Sequence, residues 1–152
     1  MKGLITLKMT DEIKQLLEKQ RPVPIGTCDA DLDEDGNCTV NLIYVSFIKV
    51  YDDETILISN NKFFKTERNL LKNKNVTIAI YDEETNKSFQ LKGIATIHKE
   101  GKIFEDNVSW VQSRKKNIEP KAAVLIHINK IYSKHKKMVV NDDCIEFSRH
   151  TI

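Results

Sequence analysis

Residues 41–50, NLIYVSFIKV, form a predicted β-strand that is apolar on both of its faces. Successive side chains of a strand point to opposite sides, so the segment divides into two alternating sets. One set is Leu42, Tyr44, Ser46 and Ile48, and the other is Ile43, Val45 and Phe47. A strand that is apolar on both faces has to be covered on both faces. We therefore expect one face to line the interior of a barrel and the other to be covered by a second subunit, a helix or a flat ligand.

Five more segments have the β-branched and aromatic composition or the regular alternation of strands. Acidic turns separate several of them, which predicts hairpins. Gly93, inside one of these segments, predicts a bulge or the close approach of another group. The six predicted strands are residues 23–29, 39–53, 55–61, 76–82, 89–99 and 122–132, and residues 138–152 are predicted to form a further small hairpin around Asn141 to Asp143. The sequence thus predicts a mainly β fold, a six-stranded antiparallel barrel with flanking helices.

Helices are predicted at the margins of this barrel. The first runs from Thr10 to Gln20, with Thr10 as its N-cap. A short polar helix begins near Lys65, directly after a strand. A third helix is predicted over residues 102–117, and Trp110 falls outside its apolar stripe. That stripe consists of Ile103, Phe104, Val108 and Val111.

The composition is that of a soluble globular protein, with 152 residues, 40% hydrophobic and 30% charged, and we expect one domain over residues 1–152. A net charge of +2 is weak evidence for a nucleic-acid partner. No apolar stretch is long enough for a membrane span, and the first residues lack the pattern of a signal peptide. Cys28, Cys38 and Cys144 contain no C-x-x-C pair, which is typical of reduced thiols. We therefore expect a cytoplasmic protein without a membrane partner.

Lys65 and Thr66 stand at the start of the short polar helix. The first N–H groups of a helix have no intrahelical acceptor, and the helix dipole adds partial positive charge there, so anions such as phosphate bind readily. The alternative is that Thr66 is only the N-cap and Lys65 a solvated side chain. Glu67 would be harmless to a bound anion only if its side chain pointed outward.

Two other patterns in the sequence contain residue types that bind metal ions. Asp31, Asp33, Asp35 and Gly36 match the opening of an EF-hand loop, but the twelfth position is Leu42 instead of Glu and strands flank the segment, so an acidic hairpin turn is expected. The histidines show no metal-ligand spacing along the chain, and we predict no metal site. These histidines are His98, His127, His135 and His150.

The order of four segments resembles the FMN-binding split-barrel family, also called pyridoxamine 5'-phosphate oxidase-like, and in particular its small bacterial FMN-binding proteins. These segments are VNLIYVSFIKVYDDETILIS, NNKFFKTERNLLKNKNVTIAIYDEE, FQLKGIATI and KAAVLIHI. The resemblance covers roughly residues 10–132, which leaves residues 133–152 as a C-terminal extension. It implies a split barrel, an FMN cofactor and a homodimer with flavin at or near the subunit interface. A partner subunit would then supply the missing cover for the strand that is apolar on both faces.

The resemblance also implies a set of binding residues. The FMN phosphate would be held by Lys65 and Thr66, and the isoalloxazine ring would lie against the end of one strand and the middle of another. The implied ring contacts are Asn41, Ile43, Tyr44, Val45 and Ser46 of the long strand, and Asn60 and Asn61 of the next one. Trp110 is a further candidate, stacking on a flavin from the partner chain, although packing is the commoner role of a single tryptophan.

The sequence also departs from the family's name-giving enzymes. True pyridoxamine phosphate oxidases end in a tryptophan-bearing motif with Arg-Leu-x-Pro, whereas this chain ends with FSRHTI. We therefore expect an FMN flavoprotein that carries electrons or reduces a small molecule, without pyridoxamine phosphate oxidase activity. The alternative is a flavin-free barrel that binds an anionic ligand or nucleic acid, which basic residues interleaved with Phe63, Phe64 and Tyr81 favour.

Overall fold

The computed structural model describes residues 6–29, 31–133, 136–141 and 144–149. Apart from the strand predicted over residues 39–53, the predicted strands and helices are present within these ranges, with small shifts at their ends. The helices are α1 (Asp11–Lys19), α2 (Lys65–Lys72) and α3 (Lys102–Arg114). The strands are β1 (Val23–Cys28), β2 (Val40–Val45), β3 (Ile48–Asp52), β4 (Thr55–Asn60), β5 (Asn75–Asp82), β6 (Lys87–His98), β7 (Ala122–Ser133), β8 (Lys136–Asn141) and β9 (Cys144–Arg149).

All described strands belong to one curled antiparallel sheet, with the order β2-β1-β5-β6-β7-β4-β3. Its two ends are joined in sequence, because β2 leads into β3 after a short bend. The terminal strands extend it, β8 pairing with β7 and β9 with β8, so the predicted terminal hairpin is confirmed, while residues 142 and 143 of its turn lie outside the described residues. The mainly β split-barrel fold predicted from the sequence is confirmed.

The strand predicted over residues 39–53 is divided in two, which makes seven strands along the main sheet instead of six. The division falls at Ser46 and Phe47, where the chain changes partners. Before the bend β2 pairs with β1, and after it β3 pairs with β4. The Ser59 N–H donates to the Phe47 carbonyl at 3.0 Å and fixes the bend to β4. One continuous strand cannot pair with β1 at one end of the sheet and with β4 at the other. The prediction of a single strand over residues 39–53 was therefore wrong.

The barrel interior is filled by alternate residues of the strands and by one face of α1. Thr10 accepts a hydrogen bond from the Ile13 N–H at 3.2 Å and is the N-cap of α1, as predicted. Ile13 and Leu17 of this helix are fully buried. The buried strand residues are Val23, Ile25, Val45, Ile48, Ile56, Ile58, Val76, Ile78, Ile80, Phe89, Leu91, Ala95, Val124, Ile126, Ile128 and Ile131.

A second, smaller cluster lies on the outer side of β4 and β7, under α3. Leu57, Ala123 and Leu125 are buried there against Tyr51, Ile103 and Trp110. The prediction that Trp110 falls outside the packed face of its helix was therefore wrong. The buried positions of α3 are Asn107 and Val111, and a buried polar residue obscures the apolar stripe in the sequence.

The pairing of β6 with β7 contains a bulge at the predicted glycine. The register shifts between Lys92, opposite Lys130, and Gly93, opposite Ile128, so Asn129 has no opposite residue. A Cβ atom at Gly93 would lie 2.5 Å from the His127 carbonyl oxygen. The bulge and the close approach predicted from the sequence are both confirmed.

Candidate functional site

The junction of β4 and α2 presents the start of a helix without a side-chain cap. The N-cap residue is Phe64, which makes no side-chain cap hydrogen bond. Thr66 is the second residue of the helix, so the interpretation of Thr66 as the N-cap was wrong. The N–H groups of the first turn are therefore left without helical acceptors, which is the arrangement that binds anions.

Two side-chain hydrogen bonds fix α2 against the barrel. Asn41 Nδ2 donates to Thr66 Oγ1 at 3.0 Å, and Asn69 Nδ2 donates to Thr27 Oγ1 at 3.1 Å. Thr66 is only 2% exposed, so its side chain lies in the seam between β2 and α2. Two residues predicted for different parts of a ligand, Asn41 and Thr66, thus lie together at the helix start.

Lys65 brings a positive charge to the same place. Its side chain is 58% exposed, and its Nζ lies 3.8 Å from Asp29 Oδ1. This oxygen is buried, and no hydrogen bond to it is found among the described residues. Asp29 has no local signal in the sequence, because only the packing of the end of β1 against α2 brings it beside Lys65.

Acidic groups line the outer side of α2 as well. Asp31 Oδ2 accepts a hydrogen bond from Arg68 at 3.0 Å, and its Oδ1 accepts one from Lys72 at 2.7 Å. The bond from Lys72 first, and that from Arg68 second, hold the pKa of Asp31 below its ordinary value. The cations of α2 beyond its first turn, Arg68 and Lys72, therefore both pair with Asp31, whereas Lys65, the first residue of the helix, lies near Asp29.

Asn60 and Asn61, both predicted to touch a flavin ring, point to different neighbours. The buried Asn60 donates from Nδ2 to Glu67 at 3.0 Å and accepts the Phe63 N–H at 2.9 Å. Glu67 is thereby held toward β4, so the outward direction considered from the sequence is not observed. Asn61 Oδ1 accepts a hydrogen bond from the Ser59 hydroxyl, on the side of the sheet that carries α3.

The candidate residues of β2 lie on both faces of the strand. Asn41, Ile43 and Val45 share the inward face, whereas Tyr44 is directed outward and is 70% exposed. Ser46 is exposed in the bend after the strand. One ligand bound within a single chain therefore reaches only part of this set.

Trp110 lies apart from the start of α2, in the cluster under α3. Its ring meets that of Phe47 edge to face, with 5.7 Å between the ring centroids. Lys49 Nζ lies 4.7 Å from the centroid of the same ring. Within the chain Trp110 has a packing role, and stacking on a partner's ligand stays a prediction.

The outer side of β1, β2, β5 and β6 carries an apolar groove of about 380 Å³. Gly26 leaves room at its centre, because a Cβ atom there would meet no atom closer than 3.8 Å. Val40 and Leu42 of β2 stand beside it, 70% and 65% exposed. The outward apolar set of the sequence is thus uncovered in the single chain. The groove is lined by Pro24, Gly26, Thr27, Cys28, Val40, Leu42, Asn75, Thr77, Ala79 and Lys92.

The acidic segment after β1 forms a turn, as predicted. Asp33 Oδ1 accepts the N–H groups of Asp35 and Asn37 at 2.9 and 2.8 Å, and Gly36 has a φ of 80°. Within the described ranges no three His, Cys, Asp or Glu side chains are grouped to hold a metal ion. Cys28 and Cys38 are free thiols. None of the helices found in the described part of the chain is long and apolar enough to cross a membrane.

The fold is an antiparallel split barrel, and the helix that follows β4 begins with a lysine and has no side-chain cap. The sequence model of the pyridoxamine 5'-phosphate oxidase family matches residues 9–135. The chain is therefore a member of the pyridoxamine 5'-phosphate oxidase family.

Individual relatives are consistent with this membership. An uncharacterized protein of Methanocaldococcus jannaschii is 32% identical over 133 residues, which are 86% of this chain and 84% of that protein. The crystal structure of HupZ from Group A Streptococcus is 26% identical, with a TM-score of 0.67, and the match covers 82% of this chain and 93% of that chain. An FMN-binding protein from Syntrophomonas wolfei has the same fold at 17% identity, with a TM-score of 0.64 over 79% of this chain and 82% of that one.

Proposed function

We propose that the protein is an FMN-binding flavoprotein that carries electrons or reduces a small molecule in the cytoplasm. The observation that carries the proposal is the uncapped start of α2, where Lys65 and the first-turn N–H groups stand beside Asn41. Family membership and the FMN-binding protein that shares the fold support the choice of a flavin phosphate as the anion.

The donor set fits a phosphate group. Lys65 contributes a mobile point charge, and the backbone N–H groups of the first turn contribute directional hydrogen bonds. Thr66 is buried, so its hydroxyl holds Asn41 in place and its contact with phosphate would come through the backbone. Two carboxylates oppose the anion. Lys65 has to leave Asp29 in order to reach a phosphate. Glu67, in the first turn of α2, is held toward β4 by Asn60 instead of pointing outward.

The chain's own residues would bind, orient and shield the cofactor. When bound, the isoalloxazine ring supplies the redox chemistry, and the protein tunes it by polarity and burial. The outward face of β2, with Leu42 and Tyr44, offers apolar cover to a flat ring or to another subunit. We propose that this subunit is a second copy of the chain, in a homodimer that encloses the flavin near its interface.

The phosphate anchor is tested by comparing FMN with riboflavin, which has the same ring without the anion. A charged hydrogen bond contributes about 1.5 to 3 kcal/mol, so Lys65→Ala should weaken FMN binding by roughly ten- to a hundredfold. Riboflavin affinity should hardly change. Lys62→Ala is the matched control, because Lys62 is an exposed lysine on the same loop, ahead of the helix.

The outcome separates the two functions that the sequence leaves open. Flavin that copurifies, or FMN that binds more tightly than riboflavin, supports the flavoprotein. Equal losses for FMN and riboflavin in Lys65→Ala would show that the lysine acts on the ring or the fold. A colourless protein that binds neither flavin would overturn the proposal in favour of a flavin-free binding module.

A further inference from the structure

Two histidines that are distant in the sequence converge on one hydroxyl group. His98 Nε2 lies 2.9 Å from Thr96 Oγ1, and His127 Nε2 lies 3.1 Å from the same oxygen. A hydroxyl has one proton to donate, so it donates to one ring and accepts from the other. The three side chains form a polar cluster separate from the start of α2.

The sheet register brings this cluster together. Thr96 of β6 is opposite Leu125 of β7, so His127, two residues further along β7, shares its face of the sheet. His98 follows Thr96 by two residues and also shares that face. The face is the outer one, at the edge of the cluster that Leu125 forms under α3.

The environment of the pair suits metal-binding imidazoles. Both rings are partly exposed, so an ion has access and the ring torsions have room to adjust. Thr55, directly opposite His127, has a buried hydroxyl without a hydrogen-bond partner among the described residues.

We propose that His98 and His127 form a binding site for a divalent transition-metal ion such as Zn²⁺ or Cu²⁺. Imidazole is a preferred ligand of these ions and binds them at about 2 Å. The ion would take the central position now held by the Thr96 hydroxyl, after small rotations of the two rings. Two protein ligands leave the other coordination positions to water or to a small molecule, with the Thr55 hydroxyl nearby as a hydrogen-bond partner.

The test is a titration of the full chain with Cu²⁺ as a spectroscopic probe and with Zn²⁺. His98→Gln and His127→Gln keep an amide that bonds to Thr96 but remove the imidazole. Each should weaken binding at least about tenfold, since even the loss of a group that only orients a ligand costs about 10- to 100-fold. His150→Ala is the control, because it removes one histidine from the chain but none from the proposed site. Thr96→Val should retain the metal because both imidazoles remain.

We expect one Cu²⁺ per chain, with nitrogen couplings from two imidazoles in the electron paramagnetic resonance spectrum and from one in each glutamine variant. Melting temperatures of the metal-free variants establish that they are folded. Binding that persists in both glutamine variants, or is lost in Thr96→Val, would overturn the site. A wild-type protein that binds neither ion at micromolar concentration would overturn it as well.

Discussion

Replacing Asp29 by Asn should tighten the binding of FMN. The Asp29 carboxylate lies 3.8 Å from Lys65 Nζ, so it competes with a phosphate for this lysine and also repels the phosphate itself. Asparagine keeps the size of the side chain and leaves the backbone bond from the Asp29 N–H to the Thr39 carbonyl intact. The substitution therefore removes a charge with little change in packing.

The size of the effect follows from the distance and the exposure of the pair. Two unit charges about 4 Å apart interact by about 1 kcal/mol in water and about 4 kcal/mol at an effective dielectric constant of 20. The Lys65 side chain is 58% exposed, which places the pair near the lower value. A gain of about 1 kcal/mol corresponds to roughly fivefold tighter FMN binding.

Flavin fluorescence titrations of the wild type and Asp29→Asn measure this difference. Riboflavin affinity should stay the same, and the gain for FMN should shrink at high salt, because salt screens exposed charges. Asp31→Asn is the control: it removes the same charge, but from a carboxylate that pairs with Arg68 and Lys72. Weaker FMN binding in Asp29→Asn, or equal changes for FMN and riboflavin, would refute the competition and assign Asp29 to ligand binding or folding.

Three further outcomes are expected. Light scattering should show that Leu42→Lys converts the proposed dimer to a monomer, since it places a charge in the outer groove, whereas Leu32→Lys, at an exposed leucine of the turn after β1, should not. Gly93→Ala should lower the free energy of unfolding in urea by about 1–3 kcal/mol, because its Cβ would overlap a backbone oxygen, and Gly26→Ala, which has space, should change it little. Hydrogen bonds from the Tyr51 hydroxyl first, and from Lys102 second, hold the pKa of Asp106 below its ordinary value of 3.8. Its contribution to stability is therefore present above the unfolded pKa and lost as the pH falls through the lower folded pKa. Asp106→Asn should reduce the loss of stability in urea unfolding below about pH 4.

The alternation of apolar residues predicts the barrel strands well, because the inward side of the sheet is mainly apolar. Val76, Ile78 and Ile80 are buried as their spacing indicates. The same alternation runs without a break through Ser46 and Phe47, where the structure bends and changes partner strands. No glycine or proline marks this bend, so only the closure of the sheet determines it.

The candidate site was predictable only where its residues are close in the sequence. Lys65 stands visibly at a helix start, since a strand and a polar helix meet there. Its partner Asp29 and the pair of His98 and His127 depend on tertiary packing and sheet register, for which the sequence carries no local signal. Asn107 of α3 is a similar case: it is fully buried, but the sequence predicts an exposed position because the residue is polar.

The unpaired Asn129 sets the phase of everything that follows it in β7. Ile128 and Ile131 are both fully buried although three positions separate them, which regular alternation would not allow. If the strand alternated regularly through Asn129, Lys130 would face the interior and Ile131 the solvent. The bulge absorbs the extra residue, so Lys130 stays opposite Lys92 and Ile131 opposite Leu91. The bulge thus keeps the inward residues of β7 in phase with those of β6 up to the segment, Ile131 to Ser133, with which β8 pairs.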